Sequence, residues 1–356
     1  MKVVSVVGAR PQFIKCAPVS RELRKSSEEI MVHTGQHYDA NLSQSFFDEL
    51  HIPPPHYHLG VGSGTHGYQT AAMLKGIEDV LITEKPDLVL VYGDTNSTIA
   101  GALAAAKLRI PLAHIEAGLR SYNKDMPEEI NRVVTDHCSD LLFCPTETAV
   151  FNLKKEGITE GVHLVGDVMY DALLFNIDLA KKSRILEQLQ VEPKNYVLAT
   201  LHRASNTDDC DALKRIITGL SRTEYTVIFP AHPRTRKAFE SFGISPSENV
   251  RVIEPVGYLE FLKLESEAAA IVTDSGGVQK EAYLLRVPCI TVREETEWVE
   301  TIEDGWNILV GTNTDLIVKM AQEFRPNAEQ RNLFGDGTAS KKIVQILREY
   351  RRNERM

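Results

Sequence analysis

The chain has 356 residues, of which 43% are apolar and 25% charged, with a formal net charge of −9. That balance describes a folded globular protein large enough for two domains, and it excludes a disordered chain. It also carries no basic footprint for nucleic acid, and no apolar run reaches the length of a membrane span.

Met1-Lys2-Val3-Val4-Ser5-Val6-Val7 runs directly into Gly8-Ala9-Arg10-Pro11, so it reads as a first strand and not as a signal peptide. Further apolar runs of strand length follow at Leu88 to Tyr92, Leu112 to Ile115, Leu141 to Cys144 and His163 to Val165, each succeeded by helical periodicity. Runs of continuous Val, Leu and Ile predict strands covered on both faces, hence a parallel sheet between helices. Val168 to Lys194 reads as helix and then polar connector. The pattern restarts at Tyr196 to Leu201, Thr226 to Phe229, Val250 to Ile253, Ala270 to Thr273 and Cys289 to Val292. A last helix is expected from about Ser340 to Tyr350, with the basic Arg351 to Met356 as a solvated tail. The expected fold class is therefore α/β, two Rossmann-like doubly wound domains facing a cleft. Their expected bounds are 1–168 and 195–338, with a connector at 169–194 and a terminal helix and tail at 339–356. Five cysteines, Cys16, Cys138, Cys144, Cys210 and Cys289, show no metal-ligand spacing and suit reduced thiols of a cytoplasmic protein.

In parallel sheets ligands gather beyond the carboxyl ends of the strands, so the polar residues just after each strand are the site candidates. They are Arg10 with Lys15 one helical turn on, Asp94, Glu116, His202 with Arg203, and His232 with Arg234. Asp94 and Glu116 bring two carboxylates toward one another, a pairing that splits pKa values and yields one base and one acid. For Asp94, N-capping of the helix opened by Gly93-Asp94-Thr95-Asn96-Ser97 is the competing reading. Glu128, in Met126-Pro127-Glu128-Glu129-Ile130-Asn131-Arg132, also suits a simple helix start. In Thr273-Asp274-Ser275-Gly276-Gly277, an apolar run ends in a small-residue turn that opens a helix. Such a turn can hold a phosphate, or Ser275 can serve as an ordinary cap; Glu281 lies more than one turn into that helix. No dinucleotide fingerprint, Walker A loop, zinc spacing or nucleophile elbow is present, so acids, cations and helix dipoles must act without a redox cofactor.

Gly8-Ala9-Arg10-Pro11 with Lys15, Tyr92-Gly93-Asp94-Thr95, His114 to Arg120, Pro127 to Arg132, and Thr273 to Gly277 with Glu281 together resemble the non-hydrolysing UDP-N-acetylglucosamine 2-epimerases. The resemblance spans nearly the whole chain. It implies a glycosyltransferase-B-type fold, a UDP-GlcNAc or related UDP-aminosugar ligand, no cofactor and a homodimer. Matched residue by residue, it implies Asp94, Glu116, Glu128 and His202 as catalytic groups. It implies Ser275, Gly276 and Gly277 as diphosphate binders, Glu281 as the ribose ligand, Phe261 as a nucleotide-pocket residue, and Arg10, Lys15 and His202 as cleft cations; Arg203 and His232, from their strand-end positions, and Arg132, from the matched motif, are further substrate-binding candidates. The chemistry it implies is elimination of UDP to a 2-acetamidoglucal and re-addition with inversion at C2.

Two departures stand out. Trp298 in Thr296-Glu297-Trp298-Val299-Glu300 replaces an arginine of many bacterial members, and Ala72 occupies the place of an arginine that binds an activating second UDP-GlcNAc; Gln36 and His37 of that region remain. The resemblance therefore argues against allosteric activation. The stretch His33 to Asn41 is also similar to the branch acting on UDP-2,3-diacetamido-glucuronate. A glycosyltransferase of the same architecture, a hydrolysing epimerase and a non-catalytic nucleotide binder are the further alternatives.

Overall fold

The computed structural model describes residues 1–36, 49–50, 52–326 and 328–354. Residues 37–41 of the His33 to Asn41 stretch, His37 among them, lie outside the described residues, as do Arg355 and Met356 of the tail.

The chain divides into two compact units, Met1–Phe175 with Asn332–Met356, and Asn176–Arg331. In the first, seven parallel strands lie in the order β3-β2-β1-β4-β5-β6-β7. They are β1 Lys2–Val7, β2 Glu28–His33, β3 Tyr57–His58, β4 Leu88–Tyr92, β5 Leu112–Ile115, β6 Leu141–Cys144 and β7 Val162–Leu164. Strands β4, β5 and β6 are buried throughout, as their unbroken apolar composition requires. One core packs Val4, Val6, Val89 and Val91 of the sheet against Met73, Ile77 and Leu81 of the helix His66–Glu84 and the alanines of the helix Asn96–Leu108.

In the second unit six parallel strands lie in the order β10-β9-β8-β11-β12-β13. They are β8 Tyr196–Thr200, β9 Thr226–Pro230, β10 Val250–Ile253, β11 Ala270–Thr273, β12 Cys289–Thr291 and β13 Asn307–Leu309. Successive side chains alternate between two cores: Tyr196 and Leu198 enter one, Val197 and Ala199 the other. Helices therefore cover both faces of the sheet, which is the doubly wound arrangement.

Three strands escape the apolar-run reading, namely β2, β3 and β13. β2 opens with Glu28-Glu29, and Glu29 is buried because Ser5 Oγ (2.6 Å) and Arg24 Nε (2.7 Å) donate to its carboxylate; β3 and β13 span only two and three residues. β7 begins and ends one residue earlier than expected. The last helix is Ala339–Glu354, so the expected tail continues as helix through Glu354. It begins on Asp171, whose carboxylate accepts from the Ala339 amide (3.0 Å) and the Ser340 amide (2.8 Å). Burial pushes the Asp171 carboxyl up despite these bonds. The expected connector holds the helices Val168–Ala180 and Ile185–Leu189. The five cysteines are free, and no described helix is long and apolar enough to cross a membrane.

Candidate active site

Each sheet reverses its strand order once, between β1 and β4 in the first unit and between β8 and β11 in the second. The crevice beyond the carboxyl ends at such a reversal is the usual ligand position in open α/β sheets.

In the first unit β1 leads directly into the helix Arg10–Leu23, which places Arg10 at its first position and Lys15 beneath it, 8% exposed. Gln12 closes this turn. Its Oε1 accepts from the amides of Gly8 (2.8 Å) and Ala9 (3.1 Å), while its Nε2 donates to the Tyr92 carbonyl (2.9 Å) on β4. Tyr92 and Ile115 are register partners at the ends of β4 and β5, so Asp94 and Glu116 leave adjacent strands side by side. Glu116 holds a positive φ of 75°, a conformation that costs a non-glycine residue about 1–3 kcal/mol and persists only where its surroundings enforce it. Its amide and that of Ala117 both donate to the Phe143 carbonyl of β6 at 3.1 Å, and its carboxylate is ion-paired with Lys15 Nζ. Gly93 also needs a positive φ, 61°. A Cβ there would stand 3.0 Å from Lys15 Nζ and 3.2 Å from Glu116 Oε2, so the turn carrying Asp94 lies directly against this pair.

The structure removes the capping reading of Asp94. Thr95, not Asp94, is the N-cap of the helix Asn96–Leu108. The Asp94 carboxylate is instead paired with the fully buried Arg132 (Nη2 to Oδ2, 2.6 Å), and Asn131 Nδ2 donates to the Asp94 carbonyl at 2.9 Å. Both partners come from the helix Pro127–Cys138, which starts on its proline. Within its acidic first turn the two glutamates separate. Glu129 is buried and accepts from the Ser121 and Tyr122 amides, each at 2.9 Å, and from Arg132 Nη1 at 2.8 Å. Glu128 is half-buried and its carboxylate makes no hydrogen bond or ion pair to a described residue. The structural glutamate of this motif is thus Glu129, leaving Glu128 open.

In the second unit Thr200 and Thr273 are register partners at the ends of β8 and β11, and their hydroxyls lie 2.6 Å apart. The turns that follow carry His202 with Arg203 and Ser275 with Gly276. They are tied by the fully buried Asp274, whose carboxylate accepts from the amides of His202 and Arg203, both at 3.1 Å, and from Asn206 Nδ2 at 3.1 Å. The half-exposed His202 ring brings Nδ1 to 3.3 Å from the same carboxylate, and Arg203 Nε donates to the Asp274 carbonyl at 3.0 Å.

Ser275 caps the helix Gly276–Leu284 by accepting from the Val278 amide. The amides of Gly276 and Gly277 donate to no described protein atom, so the mouth of this helix keeps the open donors and partial positive charge of an anion site. A side chain at Gly276 would collide with the Glu297 carboxylate and stand 3.1 Å from Trp298 Nε1. Trp298, at the position that departs from the bacterial arginine, is buried and covers the Lys280 ammonium at 4.1 Å from its ring centre. Glu281 is buried and accepts from the Tyr258 hydroxyl at 3.2 Å, while Phe261 is half-buried on the same core as Val278. His232 is exposed and caps the helix Pro233–Phe242, its Nδ1 accepting from the Arg234 amide at 3.3 Å. Among the described residues no cluster of His, Cys, Asp and Glu is arranged to hold a metal ion.

Two Rossmann-like domains, one ending in paired carboxylates and cations and the other in an open helix mouth, define a protein of the glycosyltransferase-B fold type. A sequence profile of the UDP-N-acetylglucosamine 2-epimerases matches residues 21–348. A UDP-N-acetylglucosamine 2-epimerase homolog of Methanococcus maripaludis is 58% identical over 98% of this chain and 99% of its own. The UDP-2,3-diacetamido-2,3-dideoxy-D-glucuronate 2-epimerase of Pseudomonas aeruginosa is 49% identical over 98% and 99%. The crystal structure of Methanocaldococcus jannaschii UDP-GlcNAc 2-epimerase in complex with UDP-GlcNAc and UDP superposes with a TM-score of 0.93 at 48% identity, covering 98% of this chain and 100% of that one. The chain belongs to the UDP-N-acetylglucosamine 2-epimerase family and is an isomerase of the UDP-sugar 2-epimerase kind.

Proposed function

We propose that the protein is a non-hydrolysing UDP-N-acetylglucosamine 2-epimerase that interconverts UDP-GlcNAc and UDP-ManNAc and works as a homodimer. The observation that carries the reading is the pair of carboxylates Asp94 and Glu116, borne by neighbouring strand ends and each tied to its own cation, Arg132 and Lys15. A C2–H bond of an aminosugar is not acidic enough for simple proton exchange. Elimination avoids this: a carboxylate takes the C2 proton, the C1–O bond to UDP breaks with its electrons leaving on the diphosphate, and a 2-acetamidoglucal remains. Return of UDP to C1 and of a proton to the opposite face of C2 gives the epimer.

In this assignment Asp94, Glu116 and Glu128 supply the base and acid, with His202 as the further proton-handling group. Arg10, Lys15, Arg132, Arg203 and His232 meet the charge developing on the diphosphate. The Ser275-Gly276-Gly277 amides hold that diphosphate, Glu281 accepts from the ribose and Phe261 lies against the nucleotide.

The second reading is epimerisation of UDP-2,3-diacetamido-glucuronate, favoured by the 49% identity to the Pseudomonas aeruginosa enzyme over the full chain. Supplying the two UDP-sugars separately in D2O, with NMR of the products, tests both. The expected result is a C2-inverted UDP-sugar carrying deuterium at C2, from UDP-GlcNAc under the first reading and from the diacetamido uronate under the second. A product that keeps its protium rules out elimination, and no inversion of either sugar rules out the function.

A further inference from the structure

His114 is the penultimate residue of β5 and is completely buried. Its two ring nitrogens face two oxygens: Nδ1 lies 2.7 Å from Asp136 Oδ1, and Nε2 lies 2.8 Å from the Gly93 carbonyl. A carbonyl oxygen can only accept, so Nε2 carries a hydrogen. Asp136 is equally committed as an acceptor, since the Gly118 amide (3.1 Å) and Arg120 Nη1 (2.7 Å) both donate to its other oxygen. Burial pushes the Asp136 carboxyl up, but His114 and Arg120 outweigh it and hold it below the usual range. Nδ1 must therefore donate as well. Asp136, from the helix Pro127–Cys138, is itself flanked by Arg120 from the segment after β5, which pairs with Glu156 at 2.7 Å, and by Cys144 on β6, whose thiol burial pushes up.

The two arms end at informative places. Gly93 is the positive-φ residue immediately before Asp94, and Asp136, at the end of the other arm, also accepts from the amide of Gly118, two residues past Glu116. We infer that His114 is a positioning residue for the reaction: as a two-armed donor it clamps the Gly93 carbonyl to Asp136, fixing the turn that aims Asp94 beside Glu116. The inference rests on the proposed epimerase function for its kinetic consequence, while the double donation of the ring stands independently.

Two variants divide the arms. In His114→Gln the side-chain amide reaches the place of Nε2 and can still donate to Gly93. In His114→Asn it reaches only the place of Nδ1 and Asp136. Misplacement of reacting groups by about 1 Å costs roughly 10²-fold, so His114→Asn should lower kcat by about that factor with KM within a few-fold of the native value, and His114→Gln should recover most of the loss. A purely structural histidine would make the two variants equally impaired, or would leave both unimpaired; either result overturns the inference. Nitrogen-15 NMR of histidine-labelled native protein covers the case in which the variants fail to fold. Both ring nitrogens of His114 should give N–H correlations in the native protein, and a bare ring nitrogen refutes the clamp. Native protein that inverts no UDP-sugar would refute the function instead, leaving the ring signature to decide the clamp.

Discussion

The carboxyl ends of the two sheets share a strand order and differ in chemistry. Beyond β1, β4 and β5 the first unit fills the space with side-chain charge: Lys15 on Glu116, and Arg132 on Asp94 and Glu129. Beyond β8 and β11 the second unit adds backbone to its side chains: the open amides of Gly276 and Gly277 accompany His202 and Arg203 on turns held from beneath by the buried Asp274. A reversal of strand order marks the place where open α/β sheets usually take a ligand, and under the proposed function the residues placed there serve proton transfer in one unit and anion binding in the other. A carboxylate can take up and return a proton, whereas a peptide N–H can only donate a hydrogen bond.

This contrast predicts separable failures. The largest effect belongs to the first unit. Asp94→Asn and Glu116→Gln should each lower turnover by roughly 10²–10⁴-fold, with UDP affinity by calorimetry nearly unchanged; activity of both variants at the native level would remove the proton-transfer assignment. Next comes Asp274→Ala, which leaves the amides of His202 and Arg203 and the Asn206 side chain without their shared acceptor. It should destabilise the second unit by about 3 kcal/mol, read by denaturant unfolding, and a loss well below that would show that the two turns stand without the buried carboxylate. Gly276→Ala forces a methyl group against Glu297 and should cost about 1–3 kcal/mol of stability together with UDP affinity, checked by melting and UDP titration. Unchanged binding there would move the anion away from this turn. The smallest change is Ser275→Ala, which removes a cap and should cost about 1 kcal/mol, again with weaker UDP binding and a native rate once UDP-sugar saturates.

Much of the fold is legible in the sequence because strands buried on both faces must be apolar throughout, as Leu88-Val89-Leu90-Val91-Tyr92 is. β2 is hidden because a buried carboxylate looks like a surface residue until Ser5, Ser20 and Arg24 close on it. Asp94, Glu116, His202 and Ser275 can be named from strand ends alone, since each lies one or two residues past an apolar run. What supports them is set by partners distant in the chain. Gln12 reaches Tyr92, Arg132 reaches Asp94, and His114 joins Gly93 to Asp136, and no local spacing announces such pairs. The choice between Glu128 and Glu129 shows the same limit, because two adjacent glutamates in a helix start are equivalent until the loop before them folds back to bind one.

The separation of proton transfer by Asp94 and Glu116 from nucleotide binding is tested most directly by titrating UDP into the double variant Asp94→Asn/Glu116→Gln in a calorimeter. The proposed roles require UDP to bind within a few-fold of the native affinity although epimerisation is abolished. If nucleotide binding disappears along with activity, the carboxylates of the first unit belong to the UDP site and the assignment of separate roles is contradicted.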